Sequence, residues 1–99
     1  MKLLPTFLTS LSLTITTTAT LVYPNTASNC GNPAGQAGSF YDCGDTGLRN
    51  YNIKSAQVLY YQHTVRFFRN ADCSGAHISV ASDECVNFPF RPLCARILC

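Results

Sequence analysis

The chain has 99 residues, with seven Lys or Arg against five Asp or Glu, and six cysteines. A formal net charge of +2 gives little general attraction to nucleic acid or to anionic membrane. The length suits one small domain, a size at which a hydrophobic core alone is often marginal.

The chain opens "MKLLPTFLTSLSLTITTTAT". One Lys precedes a run of Leu, Phe and Ile. Thr17 and Ala19 stand at the −3 and −1 positions of a cleavage after Ala19, the layout of a secretory signal peptide over 1–19. A membrane anchor is the rival reading, but Ser and Thr interrupt the apolar run and no second stretch approaches about 20 apolar residues. The expected product is residues 20–99, secreted, with no stable membrane insertion. It carries Cys30, Cys43, Cys73, Cys85, Cys94 and Cys99. An even count in a short exported chain implies three disulfides. No C-x-x-C pair is present, so a zinc site is not expected.

After the leader, short apolar runs rich in Val, Ile, Tyr and Phe are separated by Gly, Asn, Asp and Pro, which predicts an all-β fold. "TLVYPN" reads as a strand, and "NCGNPAGQAG" and "CGDTGLRN" as turn-rich loops. "SAQVLYYQHTVRFF" reads as two strands broken at Gln62-His63-Thr64, followed by strands "GAHISV" and "ARIL". The tail "CARILC" ends on two cysteines that do not suit each other. Five strand steps separate their Cα atoms by roughly 16 Å, whereas a disulfide needs about 7 Å or less. In a helix, five residues turn the side chains through roughly 500°, which points them apart. Cys94 and Cys99 each reach back to an earlier cysteine.

The two halves carry the same anchors in order. "TLVYPN", Cys30-Gly31, Cys43 and "SAQVL" match "VRFFRN", Cys73 with Gly75, Cys85 and "CARIL". Counted from Tyr23 and Phe68, the separations are 7, 13 and 12 residues against 5, 12 and 9. This predicts an internal duplication with halves of about 20–61 and 62–99, in which Cys94 takes the position of Ser55.

The second half, "VRFFRNADCSGAHISVASDECVNFPFRPLCARILC", resembles a βγ-crystallin-type Greek key. Aromatic Phe68, the hairpin "NADCSG", "CVNFPF" and the final strand "CARIL" fall into the places of that motif. The small plant antimicrobial proteins of the macadamia type are similar in flavour, and the fold also occurs in a yeast killer toxin and a bacterial metalloproteinase inhibitor. The resemblance covers roughly 20–99, closely after Val65 and loosely before it. It implies two Greek keys packed as a sandwich, with Leu21, Tyr23, Val58, Tyr60, Phe68, Ile78, Val80 and Ile97 on or near the core. It also implies bridges Cys30–Cys85 and Cys43–Cys99, which leaves Cys73 with Cys94. The plant proteins place two cysteines in a C-G-C run where this chain has Cys43-Gly44-Asp45. Six cysteines allow fifteen pairings, so other connectivities stay open. Each closed loop contributes on the order of 3–4 kcal/mol in the chain-entropy model, so reduction should unfold the domain.

Many βγ-crystallin domains bind calcium through two Asp or Asn residues, two variable positions, Ser or Thr, then Ser. With Ser55 fifth, Tyr51-Asn52-Ile53-Lys54-Ser55-Ala56 matches poorly. With Cys94 fifth, Phe90 and Arg91 occupy ligand positions, where a cation is disqualifying. No cofactor is expected. Asp42 with Asp45, and Asp83 with Glu84, read as loop solubilisers rather than acid/base pairs. His63 and His77 read as solvated side chains, so the chain is expected not to be an enzyme. "YYQHTVRFF" reads as strand core with Arg66 and Arg69 at an edge, not as a nucleic-acid platform. The surface left for function is the loops "NPAGQAGSFYD", "GDTGLRNYN" and "NFPFRP"; the candidate binding loop is the last, with Phe88, Phe90 and Arg91 as a recognition edge, or with both Phe residues in the core.

The resemblance implies an antimicrobial or killer-toxin-like protein acting on a specific microbial target. The strongly basic charge of the plant members is absent, so charge-driven membrane disruption is not expected. The alternative is a secreted effector or protease-inhibitor-like protein that binds a host extracellular protein, as in a pathogenic fungus. Either way the partner is a protein or cell-surface target, and the chain is expected to be monomeric.

Overall fold

The computed structural model describes residues 19–31 and 35–99; the expected leader, up to Thr18, lies outside the described residues. Seven strands follow in order: β1 Leu21–Asn25, β2 Gly44–Gly47, β3 Ser55–Leu59, β4 Val65–Phe68, β5 His77–Val80, β6 Glu84–Asn87 and β7 Cys94–Ile97. A short 3-10 turn, Ser28–Cys30, follows β1. The fold is all-β, with two antiparallel sheets ordered β1-β3-β6 and β2-β7-β4-β5. Residues 36–40 run beside β1 through the bridges Val22–Phe40 and Asn25–Gln36, as β5 runs beside β4. The sheets therefore have matching layouts, and each contains one strand from the opposite half: β6 joins the first-half strands, and β2 joins the second-half strands. This connectivity is consistent with one Greek key per half.

Three disulfides close the structure, Cys30–Cys85, Cys43–Cys99 and Cys73–Cys94, the same pairs that the resemblance implies. The first two span 55 and 56 residues and tie one half to the other.

Strand register relates the halves differently from the sequence anchors. Asn25 pairs with Ser55, and Phe68 pairs with Cys94. Asn25, not Tyr23, therefore corresponds to Phe68, and in both halves the turn cysteine follows five residues later, Cys30 or Cys73. Both cysteines have left-handed backbones, with φ 52° and 57°. The third anchor also shifts. Gly47 pairs with Cys94 and Asn87 pairs with Ser55, so Cys85 corresponds to Asp45, and Cys43 to Asp83. Each half thus has a three-cornered cluster at its turn. In one, Cys30 is bonded to Cys85, and the Ser55 hydroxyl accepts the Cys30 N–H at 3.0 Å and donates to Ala27 O at 2.6 Å. In the other, Cys73 is bonded to Cys94, and the Asp45 carboxylate lies within 4.8 Å of both sulfurs.

The core between the sheets consists of Val22, Ala56, Val58, Val65, Phe67, Val80, Ala95 and Ile97, capped by Leu48 and Ile53 from the loop between β2 and β3. Burying each of the larger side chains contributes about 1.5–3 kcal/mol. Val58, Val80 and Ile97 are buried as expected, and Ile78 packs against this core from a half-buried position. Leu21 and Tyr23 are instead half-buried. Side chains alternate along a strand, and Val22 and Pro24 are the buried positions opposite Val58 and Ala56. Tyr60 is 54% exposed, because the chain reverses there with a positive φ and leaves the sheet's alternation. Phe68 is buried, but in a separate cluster with Cys73 and Cys94.

Ser55 is fully buried and satisfies two backbone groups. Ser55→Ala should lower the stability of the oxidised protein by about 1–3 kcal/mol, because both partners lose their hydrogen bond. Urea unfolding followed by tyrosine fluorescence would measure this, and an unchanged midpoint would rule out the role assigned to the hydroxyl.

Candidate functional site

The connection between β2 and β3 and the connection between β6 and β7 both cross from one sheet to the other at the same end of the molecule. They are laced together. Leu48 N–H donates to Leu93 O at 2.9 Å, and Phe88 N–H donates to Lys54 O at 3.1 Å. Arg91 donates from Nε to Tyr51 O at 3.2 Å and from its terminal nitrogen to Arg49 O at 2.8 Å. Between these loops lies a shallow cleft of about 210 Å³, lined by Asn52, Ile53, Lys54, Phe88, Pro89, Phe90 and Arg91.

Phe88, Phe90 and Arg91 therefore meet at one cleft, in three different environments. The Phe88 ring packs on Phe67 with centroids 4.7 Å apart, and the side chain is half-buried, so it supports the core rather than projecting from it. Phe90 is half-buried, while Arg91 is exposed but spends its guanidinium on holding the neighbouring loop. The loop "GDTGLRNYN", a candidate surface in the sequence, brings Arg49, Tyr51 and Asn52 to this site, and Lys54 is the residue that sequence reasoning did not assign to it. Tyr51 is 49% exposed, and the three polar residues are exposed as well. Their signal in the sequence is a run of polar and aromatic residues beside the buried Ile53.

A larger cleft of about 380 Å³ lies at the opposite end, lined by Ala19, Thr20, Tyr41, Cys43, Gln62, His63, Ile97 and Cys99. Thr20 Oγ1 accepts the N–H groups of Gln62 and His63 at 2.8 and 3.0 Å, which fixes the wall carrying His63. No Asp, Glu, Lys or Arg side chain lines it among the described residues. Of the carboxylates read from the sequence, Asp83 and Glu84 have structural tasks. Asp83 accepts the N–H groups of Tyr60 and Tyr61 at 3.2 and 2.6 Å, and Glu84 accepts the Ser82 hydroxyl at 2.6 Å.

On the outer face of the second sheet, Asp45 and Arg96 form a two-point ion pair at 2.6 and 3.2 Å. The Arg96 guanidinium lies 5.3 Å from the centre of the Phe68 ring, which in turn contacts the His77 ring at 5.0 Å. The Arg96 hydrogen bond, opposed by desolvation and helped last by the Arg96 positive charge, holds the Asp45 carboxyl below the ordinary carboxylate range. The same bond raises Arg96 further above its already high value. Asp45, Cys73 and Cys94 are close enough to suggest a metal, but both sulfurs are in a disulfide and offer no thiolate. Arg66 stands directly opposite Arg96 in the sheet, and its Nε is buried with no hydrogen-bond partner.

No family model, no curated protein and no solved structure matches the chain.

Two predictions follow from the outer face. Because its folded pKa is lowered, Asp45 contributes stability above the ordinary carboxylate range, and this contribution is lost as pH falls through the folded value. Asp45→Asn should flatten the acid limb of the urea midpoint against pH, more visibly in low salt because the pair is partly exposed. Parallel curves for the two proteins would contradict the pairing. Arg66→Thr should raise stability by about 0.5–1 kcal/mol, since it removes a like-charge neighbour and an unpaired buried nitrogen. The same urea assay reads it, and a loss of stability would show that Arg66 is favourable where it stands.

Proposed function

We propose that the chain is a secreted, non-enzymatic binding protein of the βγ-crystallin-like kind, antimicrobial or killer-toxin-like, acting on a specific microbial target. The observation that supports this reading is the pair of cross-sheet loops, which places Arg49, Tyr51, Asn52 and Lys54 beside Phe90 and Arg91. Aromatic and Arg side chains dominate binding hot spots, and loops fixed in advance lose little entropy when they dock. The alternation of buried and exposed residues and the three bridges suit a protein that persists outside the cell. Among the described residues no helix is long and apolar enough to cross a membrane, which fits action from the aqueous phase.

The decisive experiment is a growth-inhibition titration of the oxidised protein against fungi and bacteria, beside a reduced and alkylated control. Inhibition by the oxidised form alone is expected. Tyr51→Ala combined with Phe90→Ala should raise the inhibitory concentration about tenfold or more while the fold persists by circular dichroism. Silence from folded protein across the panel would reject the microbial reading and direct the search to host extracellular proteins.

A further inference from the structure

The near-neutral total charge hides a separation of charge along the molecule. The turns at the β4–β5, β2–β3 and β6–β7 connections gather at one end. They carry Arg69, Arg49, Lys54 and Arg91, all exposed, against Asp72 alone. Asp72 accepts the Ser74 hydroxyl and neutralises none of the four. The turns at the opposite end, including 41–43, 60–64 and 81–84, carry Asp42, Asp83 and Glu84, all exposed, and no Lys or Arg. Among the described residues the one ion pair is Asp45–Arg96, out on the sheet face, so the four cations at the basic end have no carboxylate partner.

We infer that the basic end docks on an acidic polysaccharide, with carboxylate or sulfate groups facing Arg49, Lys54, Arg69 and Arg91. This rests on the reading of the cross-sheet loops as the binding surface, and names the chemistry they take. A separated charge of this kind turns the protein so that the basic end meets a polyanion and the acidic end faces away. The cleft between the loops offers an amide at Asn52, an ammonium at Lys54 and aromatic faces at Phe90 and neighbouring Tyr51, groups that can satisfy hydroxyls and lie against the C–H faces of a sugar ring. An anionic bilayer is a poorer fit. Interfacial insertion needs a free apolar face, whereas here Phe88 packs on Phe67, Phe90 is half-buried and the loop backbones are tied to each other. A single strand of nucleic acid needs a series of aromatic platforms along a groove, and among the described residues this end offers exposed Tyr51 and the half-buried Phe90 in one shallow cleft rather than a series.

The test is binding of the oxidised protein to immobilised polygalacturonate and to dextran sulfate, with neutral dextran as the control. Single-stranded DNA and vesicles of mixed zwitterionic and anionic lipid are run alongside. Expected is saturable binding to at least one acidic polymer in 50 mM salt and none to dextran. That binding should weaken about tenfold or more by 200 mM as condensed counterions are retained by the polymer. Carboxylate-only or sulfate-only binding identifies the source of the anionic group. Lys54→Glu with Arg69→Glu should reduce binding at least about tenfold, whereas Asp83→Asn with Glu84→Gln at the far end should not weaken it, each variant being checked for an intact fold. No binding in 50 mM salt, tighter binding to DNA or vesicles, or binding indifferent to the charge reversal would overturn the inference. Growth inhibition that survives when polymer binding fails would sink this inference alone; loss of both would sink the loop surface as well.

Discussion

Each sheet of this molecule is completed by a strand from the other half of the chain. β6 hydrogen-bonds along β3, and β2 along β7, so neither half has a full sheet without its counterpart. Strand pairs this remote in sequence must be assembled against a large loop-closure cost. The disulfides bear on that cost. Cys30–Cys85 and Cys43–Cys99 each join an exchanged strand, or the residue just before it, to the opposite half and remove much of the unfolded chain's freedom. For a domain with a core of this size, the exchange and the staples are one device.

The same exchange positions the candidate site. A strand that belongs to one half but lies in the other's sheet must be followed by a connection that crosses back. Two such connections, after β2 and after β6, cross at one end, which is why Lys54 and Phe88 are hydrogen-bonded neighbours although 34 residues separate them. Arg91 then binds two carbonyls of the other loop and fixes the pair as one surface. The geometry of recognition is thus a by-product of topology, and the side chains placed on it supply the chemistry.

Much of the fold was legible because strand composition and turn residues are local signals. Four of the eight expected core positions are buried, and Phe68 shows the boundary of that success, since it is buried by a disulfide cluster and not by the inter-sheet core. The misses have physical causes. The resemblance puts Leu21 and Tyr23 on or near the core, but alternation buries Val22 and Pro24, and proline is not read as a core residue from sequence. Tyr60 continues a period of two that ends at a left-handed residue. The site was half legible: "NFPFRP" and "GDTGLRNYN" could be picked out as surface loops, but their meeting could not, because it depends on which sheet receives β2 and β6. The charge separation was hidden for the same reason, since residues as far apart as Arg49 and Arg91 meet only after folding.

The paired three-cornered clusters bear on how the bridges form. Corresponding corners hold Cys30, Ser55 and Cys85 in one half, and Cys73, Cys94 and Asp45 in the other, so each cluster has two thiols and one group that cannot join a disulfide. A third thiol at either remaining corner would sit beside a finished bridge as a nucleophile for exchange. The hydroxyl of Ser55 and the carboxylate of Asp45 occupy those corners with polar contacts and no sulfur chemistry. Oxidation at each cluster therefore has a single local endpoint, and once closed, neither bridge has an intramolecular thiol at hand to reopen it.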